Sequence, residues 1–121
     1  MPKSVLALGL DPAFADFTQF PDLTPELIAR FIDSQLERLR TLGYEVISCL
    51  VDSGETAEAV TARCLASRNF DCVMIGAGLR SPPQLLLFER LINLVHVHAP
   101  NAKICFNTTP ADTAEAVQRW I

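Results

Sequence analysis

The segment Val5-Leu6-Ala7-Leu8-Gly9-Leu10, closed by Asp11-Pro12, decides the fold. It has no polar alternate anywhere along it, and a strand buried on both faces reads this way. Three further runs of the same kind follow, at Tyr44–Val51, Phe70–Ile75 and Lys103–Phe106. A helix signal follows each of the four. Strands that alternate with helices imply parallel strands joined by right-handed crossovers.

The helix signals are local and chemical. Thr24-Pro25-Glu26 opens the first helix: threonine caps free N–H groups, proline fits the first helical position, and glutamate complements the positive end of the dipole. Leu27, Ile28, Phe31, Ile32, Leu36, Leu39 and Leu42 then trace one face, with Gln35 as its polar exception. Gly43 stops this helix as a left-handed capping residue does. Ser53-Gly54-Glu55-Thr56 leads into a second helix from about Ala57 to Ser67. Ser81-Pro82 starts a third, which is apolar nearly all round from Leu85 to Val97. Thr109-Pro110-Ala111-Asp112 opens a fourth, with an acidic residue at the capping-box position. Between the first strand and the first helix, Pro12 to Leu23 forms the one long connection. It carries Phe14, Phe17 and Phe20 at even spacing. Two readings of it stand, a lid over the strand ends or a segment that closes the core or a partner surface.

The bulk numbers exclude several classes. A length of 121 residues is one domain, spanning 1–121. With 50% hydrophobic and 20% charged residues, the chain is neither disordered, collagenous nor a coiled coil. Ten Lys and Arg against fourteen Asp and Glu give a net charge of −4, which argues against a general nucleic-acid binder. No apolar stretch approaches the ~20 residues of a membrane span. The apolar run after Met1-Pro2-Lys3 is short and ends at Asp11-Pro12, so it reads as a strand and not as a secretion signal. Cys49, Cys64, Cys72 and Cys105 have no CxxC spacing and sit in apolar segments. They read as free thiols of a reducing cytosol, and the expected localisation is cytoplasmic.

In open parallel sheets, ligands bind beyond the carboxyl ends of the strands, near the switch in strand order. The residues there are Asp11, Asp52 and Ser53, then Gly76, Gly78, Arg80 and Ser81, and finally Asn107, Thr108 and Thr109. The segment Gly76-Ala77-Gly78-Leu79-Arg80-Ser81-Pro82 is the most suggestive. Its glycines admit a ligand to the backbone, a helix N-terminus follows, and Arg80 would clamp an anion. It departs from the dinucleotide fingerprint by lying after the third strand and by serine in place of the third glycine. The competing reading makes all these positions turn and capping residues. Asp11 and Asp52 would approach each other on neighbouring strands and then hold Mg²⁺ or act as acid and base, or they simply cap turns. His96 and His98 lie two apart on a helix and cannot jointly bind a metal there. No resident metal site is expected, and the sequence names no cofactor. The apolar third helix and the two open sheet edges point to a symmetric homodimer.

The whole run resembles flavodoxin-like proteins and the receiver domains of response regulators. The alternation itself gives a three-layer α/β sandwich with a four-stranded parallel sheet, the flavodoxin-like order 2-1-3-4 being favoured over a Rossmann-like 3-2-1-4. Receivers place a phosphoacceptor Asp after their third strand. This chain has Gly76 there and lacks a fifth strand, so receiver phosphotransfer is not implied. The combination of Leu8-Gly9-Leu10-Asp11-Pro12, Gly54-Glu55-Thr56-Ala57-Glu58-Ala59-Val60, Ile75-Gly76-Ala77-Gly78 and Ile104-Cys105-Phe106-Asn107-Thr108 resembles a group of small bacterial proteins of unknown function. That implies a stand-alone cytoplasmic domain and supplies no activity.

Three functional expectations follow, in this order. The first is a binding module for an anionic or phosphorylated small molecule, held by Gly76, Gly78, Arg80, Ser81, Asn107, Thr108 and Thr109. The second is a homodimeric interaction protein without catalysis. The third is a hydrolase that uses Asp11 and Asp52 with Mg²⁺.

Overall fold

Four short strands hydrogen-bond into one parallel sheet: β1 (Ser4–Leu10), β2 (Glu45–Val51), β3 (Cys72–Ile75) and β4 (Lys103–Phe106). The structure, a computed structural model, describes residues 2–18 and 20–121. The helices are α1 (Pro25–Thr41), α2 (Ala57–Ala66), α3 (Leu85–His98) and α4 (Thr113–Gln118). The strand order is β2-β1-β3-β4, the flavodoxin-like arrangement.

The two faces of β1 carry different helices. Leu6, Leu8 and Leu10 pack with Val73 and Ile75 against Leu65 of α2 and Leu87, Leu91 and Val95 of α3. Val5 and Ala7 face the other way, with Val46 and Met74, toward Leu36 and Leu39 of α1 and Val117 of α4. Every second residue of a strand points to one side, so a single apolar run supplies both cores. The chain leaves β1 for β2 on one side and returns to β3 on the other. The carboxyl ends of β1 and β3 therefore sit where the connections diverge.

The caps at Thr24 and Thr109 form as the sequence signals predict, whereas Ser81 makes no side-chain cap and donates its hydroxyl to the Gly78 carbonyl at 2.9 Å. The Thr24 hydroxyl accepts from the Leu27 N–H at 3.1 Å, with Pro25 in the first turn of α1. Gly43 takes φ +100°, where a side chain is strained. Gln35, the polar exception on the α1 face, has a role: its Oε1 accepts from the Ala114 N–H at 3.2 Å and joins α1 to the first turn of α4. The two later proline signals act one step earlier than expected. Pro82–Gln84 and Pro110–Asp112 are 3₁₀ turns that lead into α3 and α4.

Helix α3 differs from its expected all-round apolar character. Leu87, Leu91 and Val95 are buried, with Phe88, Ile92 and Leu94 beside them. Glu89, Arg90, Asn93 and His96 occupy the outer side, and Arg90 pairs with Glu58 of α2 at 2.6 Å. The exposed apolar surface of this helix narrows to Leu85, Leu86 and Val97. Among the described residues, no helix is long and apolar enough to cross a membrane.

This orientation predicts a contrast within α3. Leu91 is 0% exposed and Leu86 68%. Leu91→Ala should lower unfolding free energy by roughly 2–5 kcal/mol. Leu86→Ala should stay within about 0.5 kcal/mol of the parent in the same urea titration.

Candidate functional site

The small residues on one face of β1 leave space. Along that face side chains shrink toward the carboxyl end, from Val5 to Ala7 to Gly9. The other face keeps leucine at all three positions. Helix α1 reaches the sheet with Leu36 and Leu39, both buried. One and two turns earlier, Ile32 and Ile28 line the same cleft as Ala7 and Gly9 and are only half-buried. A straight helix cannot dip to follow a floor that falls away by one side chain. The result is a cleft of about 650 Å³ at the carboxyl ends of β1 and β3.

The connection after β1 forms the outer wall. Asp11 accepts from the Ala13 N–H at 3.0 Å and opens a 3₁₀ turn over Pro12–Phe14. Asp16 accepts from the Thr18 N–H at 2.9 Å, a bond that holds its carboxyl below the ordinary range. The Phe20 and Leu23 N–H groups bond back to the Phe17 and Phe20 carbonyls, each at 2.9 Å. These turns bring Phe14, Phe17 and Phe20 onto the cleft together. Phe14 and Phe20 remain 50% and 58% exposed, so the segment overhangs the cleft and does not close into the core.

The inner end is built from the loops after β3 and β4. Asn107 is buried and lies at its centre. Its Oδ1 accepts from the Ala77 N–H at 2.9 Å and from Arg80 Nη2 at 3.0 Å, and its Nδ2 donates to Thr113 Oγ1 at 3.1 Å. Arg80 also donates to the Ile75 carbonyl at 3.1 Å and to the Asn107 carbonyl. Its guanidinium carbon stacks 4.7 Å from the centre of the Phe106 ring. Partial burial pulls this guanidinium below its ordinary pKa, with nearby Asp112 acting in the opposite direction. Arg80 thus ties the ends of β3 and β4 together from behind the cleft wall.

The expected site residues divide accordingly. Gly76, Gly78, Ser81 and Asn107 line the cleft. Arg80, Thr108 and Thr109 do not: Thr108 donates its hydroxyl and N–H to Asp112, and Thr109 caps the turn at Pro110–Asp112. Both glycines have ordinary backbone angles, and only at Gly78 is room short. A Cβ on Gly78 would come within 3.3 Å of Leu10 Cβ, and one on Gly76 would meet Gly9 Cα at 3.6 Å. Two N–H groups at this turn are already engaged, that of Gly76 with the Leu8 carbonyl and that of Ala77 with Asn107. Asp11 and Asp52 both serve as turn caps, Asp52 accepting from the Gly54 N–H, the Thr56 N–H and the Thr56 hydroxyl. Among the described residues, no group of three or more His, Cys, Asp or Glu is arranged to hold a metal ion.

Sequence reasoning missed Ala7, Gly9, Ile28, Ile32 and Leu36 as lining residues, because each reads as core. The signal that finds them is the decline in size on alternate positions of β1.

No family model matches the chain, and no curated protein matches it.

The Asp52 cap predicts an acid dependence. The Thr56 hydroxyl bond, and then the Gly54 N–H, hold its carboxyl below the ordinary value of 3.8. A lowered pKa in the folded state adds stability above that ordinary value, and acidification through the lowered one removes it. Asp52→Asn should lose this part of the pH dependence. Its urea midpoint should lie below the parent's at pH 7 and converge with it as pH falls beneath the carboxylate range.

Proposed function

We propose that the chain is a small-molecule-binding module whose ligand lies in the cleft beyond β1 and β3, its apolar body under the phenylalanine segment. The observation that carries this reading is a cleft of about 650 Å³ at the divergence of the connections, with a largely apolar lining. Ligand pockets of small molecules typically run ~300–1,000 Å³, are mostly apolar, and favour this position in parallel α/β sheets.

The ligand's chemistry departs from the anion expected of the glycine pair and Arg80. Two facts support an apolar body instead. Among the described lining residues there is no Lys or Arg, and Asp16 is the one charged side chain. The Gly76 and Ala77 N–H groups, which an anion would use, already donate within the protein. The four cysteines are free, which suits the cytoplasm.

A homodimer is the second reading. It rests on Leu85 and Leu86, which stand exposed together at the start of α3. Sedimentation at micromolar concentration that returns the mass of one chain would exclude it.

The chain has five glycines, which serve as internal reporters. Gly9, Gly76 and Gly78 line the cleft, whereas Gly43 and Gly54 lie in turns outside it. Titration with Nile red, a neutral apolar dye, should shift the first three amide resonances and leave the other two in place. Equal shifts at all five, or none, would count against the cleft. Gly9→Val should suppress dye binding by raising the floor. A Cβ there meets Leu50 at an ordinary 3.5 Å, so Gly9→Ala should change stability by no more than about 1 kcal/mol and serves as the control.

A further inference from the structure

The cleft has a polar inner end, and one buried amide dominates it. Asn107 is 5% exposed and lines the cleft. Its orientation is set by its neighbours. Two donors, Ala77 N–H and Arg80 Nη2, face one end of the amide, so that end is Oδ1 and the other is the NH₂ group. Of the two protons on Nδ2, one goes to Thr113 Oγ1 at 3.1 Å. The Thr113 hydroxyl proton is directed in turn to the Pro110 carbonyl at 3.2 Å. The second Nδ2 proton has no acceptor among the described residues. A buried donor is seldom left unmatched in a folded protein.

The surroundings determine which acceptor suits it. Arg80 bonds to Asn107 Oδ1, and a cation at that end of an amide polarises its NH₂ group into a stronger donor. The cation itself stays behind the wall, shared between the Ile75 and Asn107 carbonyls and the Phe106 ring. A carboxylate or phosphate in the cleft would lose its hydration and find no Lys or Arg among the described lining residues. It would also share the cleft with Asp16. A neutral oxygen loses far less hydration, needs no counter-charge and is not repelled by Asp16.

We infer that the cleft selects a neutral ligand that presents a carbonyl-type oxygen to the free Nδ2 proton of Asn107, its apolar part lying over Ala7 and Gly9. This inference rests on the reading of the cleft as a ligand site and adds the chemistry of the ligand's head group. Asn107 is then a recognition residue, and Arg80 is a positioning residue that acts through it.

The test uses three probes of nearly one shape on the unmodified, ¹⁵N-labelled chain. They are 2-acetylnaphthalene, with a neutral acceptor, 2-isopropylnaphthalene, with none, and 2-naphthoate, with a charged one. Both neutral probes should shift the Gly9 amide. Only the ketone should move an Asn107 side-chain NH₂ proton downfield, as a new hydrogen bond does. The carboxylate should bind at least about tenfold more weakly than the ketone. A ketone that shifts Gly9 and leaves the Asn107 side chain unmoved overturns the inference and spares the cleft. So does a carboxylate that binds as tightly as the ketone. If none of the three shifts Gly9, the inference and the proposed ligand site fall together.

Discussion

The taper of side-chain size on one face of β1 is the constraint from which the rest of the molecule follows. Central strands of this sheet must fill two cores at once, because alternate side chains point to opposite sides. Leucines at 6, 8 and 10 fill the space under α2 and α3 completely, and all three are buried. Val5, Ala7 and Gly9 fill the other side only at its amino end. Helix α1 accordingly buries Leu36 and Leu39, packs a half-buried Ile32 against their cluster, and brings Ile28 and Ile32 to the wall of the cleft. An empty apolar space is unfavourable where packing atoms are absent. The long phenylalanine-bearing connection covers it only in part, with Phe14 and Phe20 half exposed.

The second organising feature is the tie between the ends of β3 and β4. Asn107 and Arg80 together engage an N–H, two backbone carbonyls and a threonine hydroxyl across the two loops. Backbone groups at strand ends lack ladder partners and are costly to leave unpaired when buried. The tie satisfies them and holds the inner wall of the cleft in one shape. A side chain that looks like an anion clamp in the sequence is thereby part of the framework. The capping acids follow the same pattern, since Asp52 and Asp112 each close a helix start through adjacent hydroxyl and N–H groups.

Much of the fold was legible because it rests on short-range rules. The Thr24 cap, the Gly43 stop and the strand run at Val5–Leu10 each depend on a few neighbouring residues. The order β2-β1-β3-β4 was the favoured of two that parallel alternation left open, and the structure selects it. Part of the candidate site was legible for a similar reason: Gly76, Gly78, Ser81 and Asn107 sit just after strands, where clefts in such sheets form. Arg80 was misleading because its partners are carbonyls at 75 and 107, and no spacing in the sequence announces a bond to a carbonyl. Helix α3 looked apolar on every side because leucine is written the same whether it faces the sheet or flanks the contact. Packing against β1 and α2 selects Leu87, Leu91 and Val95 and leaves Glu89, Arg90 and Asn93 outward.

By itself the sequence determined the parallel α/β architecture, most of the caps that bound its helices, and the acidic charge balance of the chain. These depend on alternation, helical periodicity and composition, all of which are properties of the chain before it folds. Only the tertiary structure decided where empty space lies and which polar groups remain unpaired beside it. Both are differences between the volume or bonding a site requires and what residues distant in the chain deliver there. Gly9, Ile28, Phe17 and Met74 around one cleft, and Asn107 between Ala77, Arg80 and Thr113, acquire their roles from that meeting of segments.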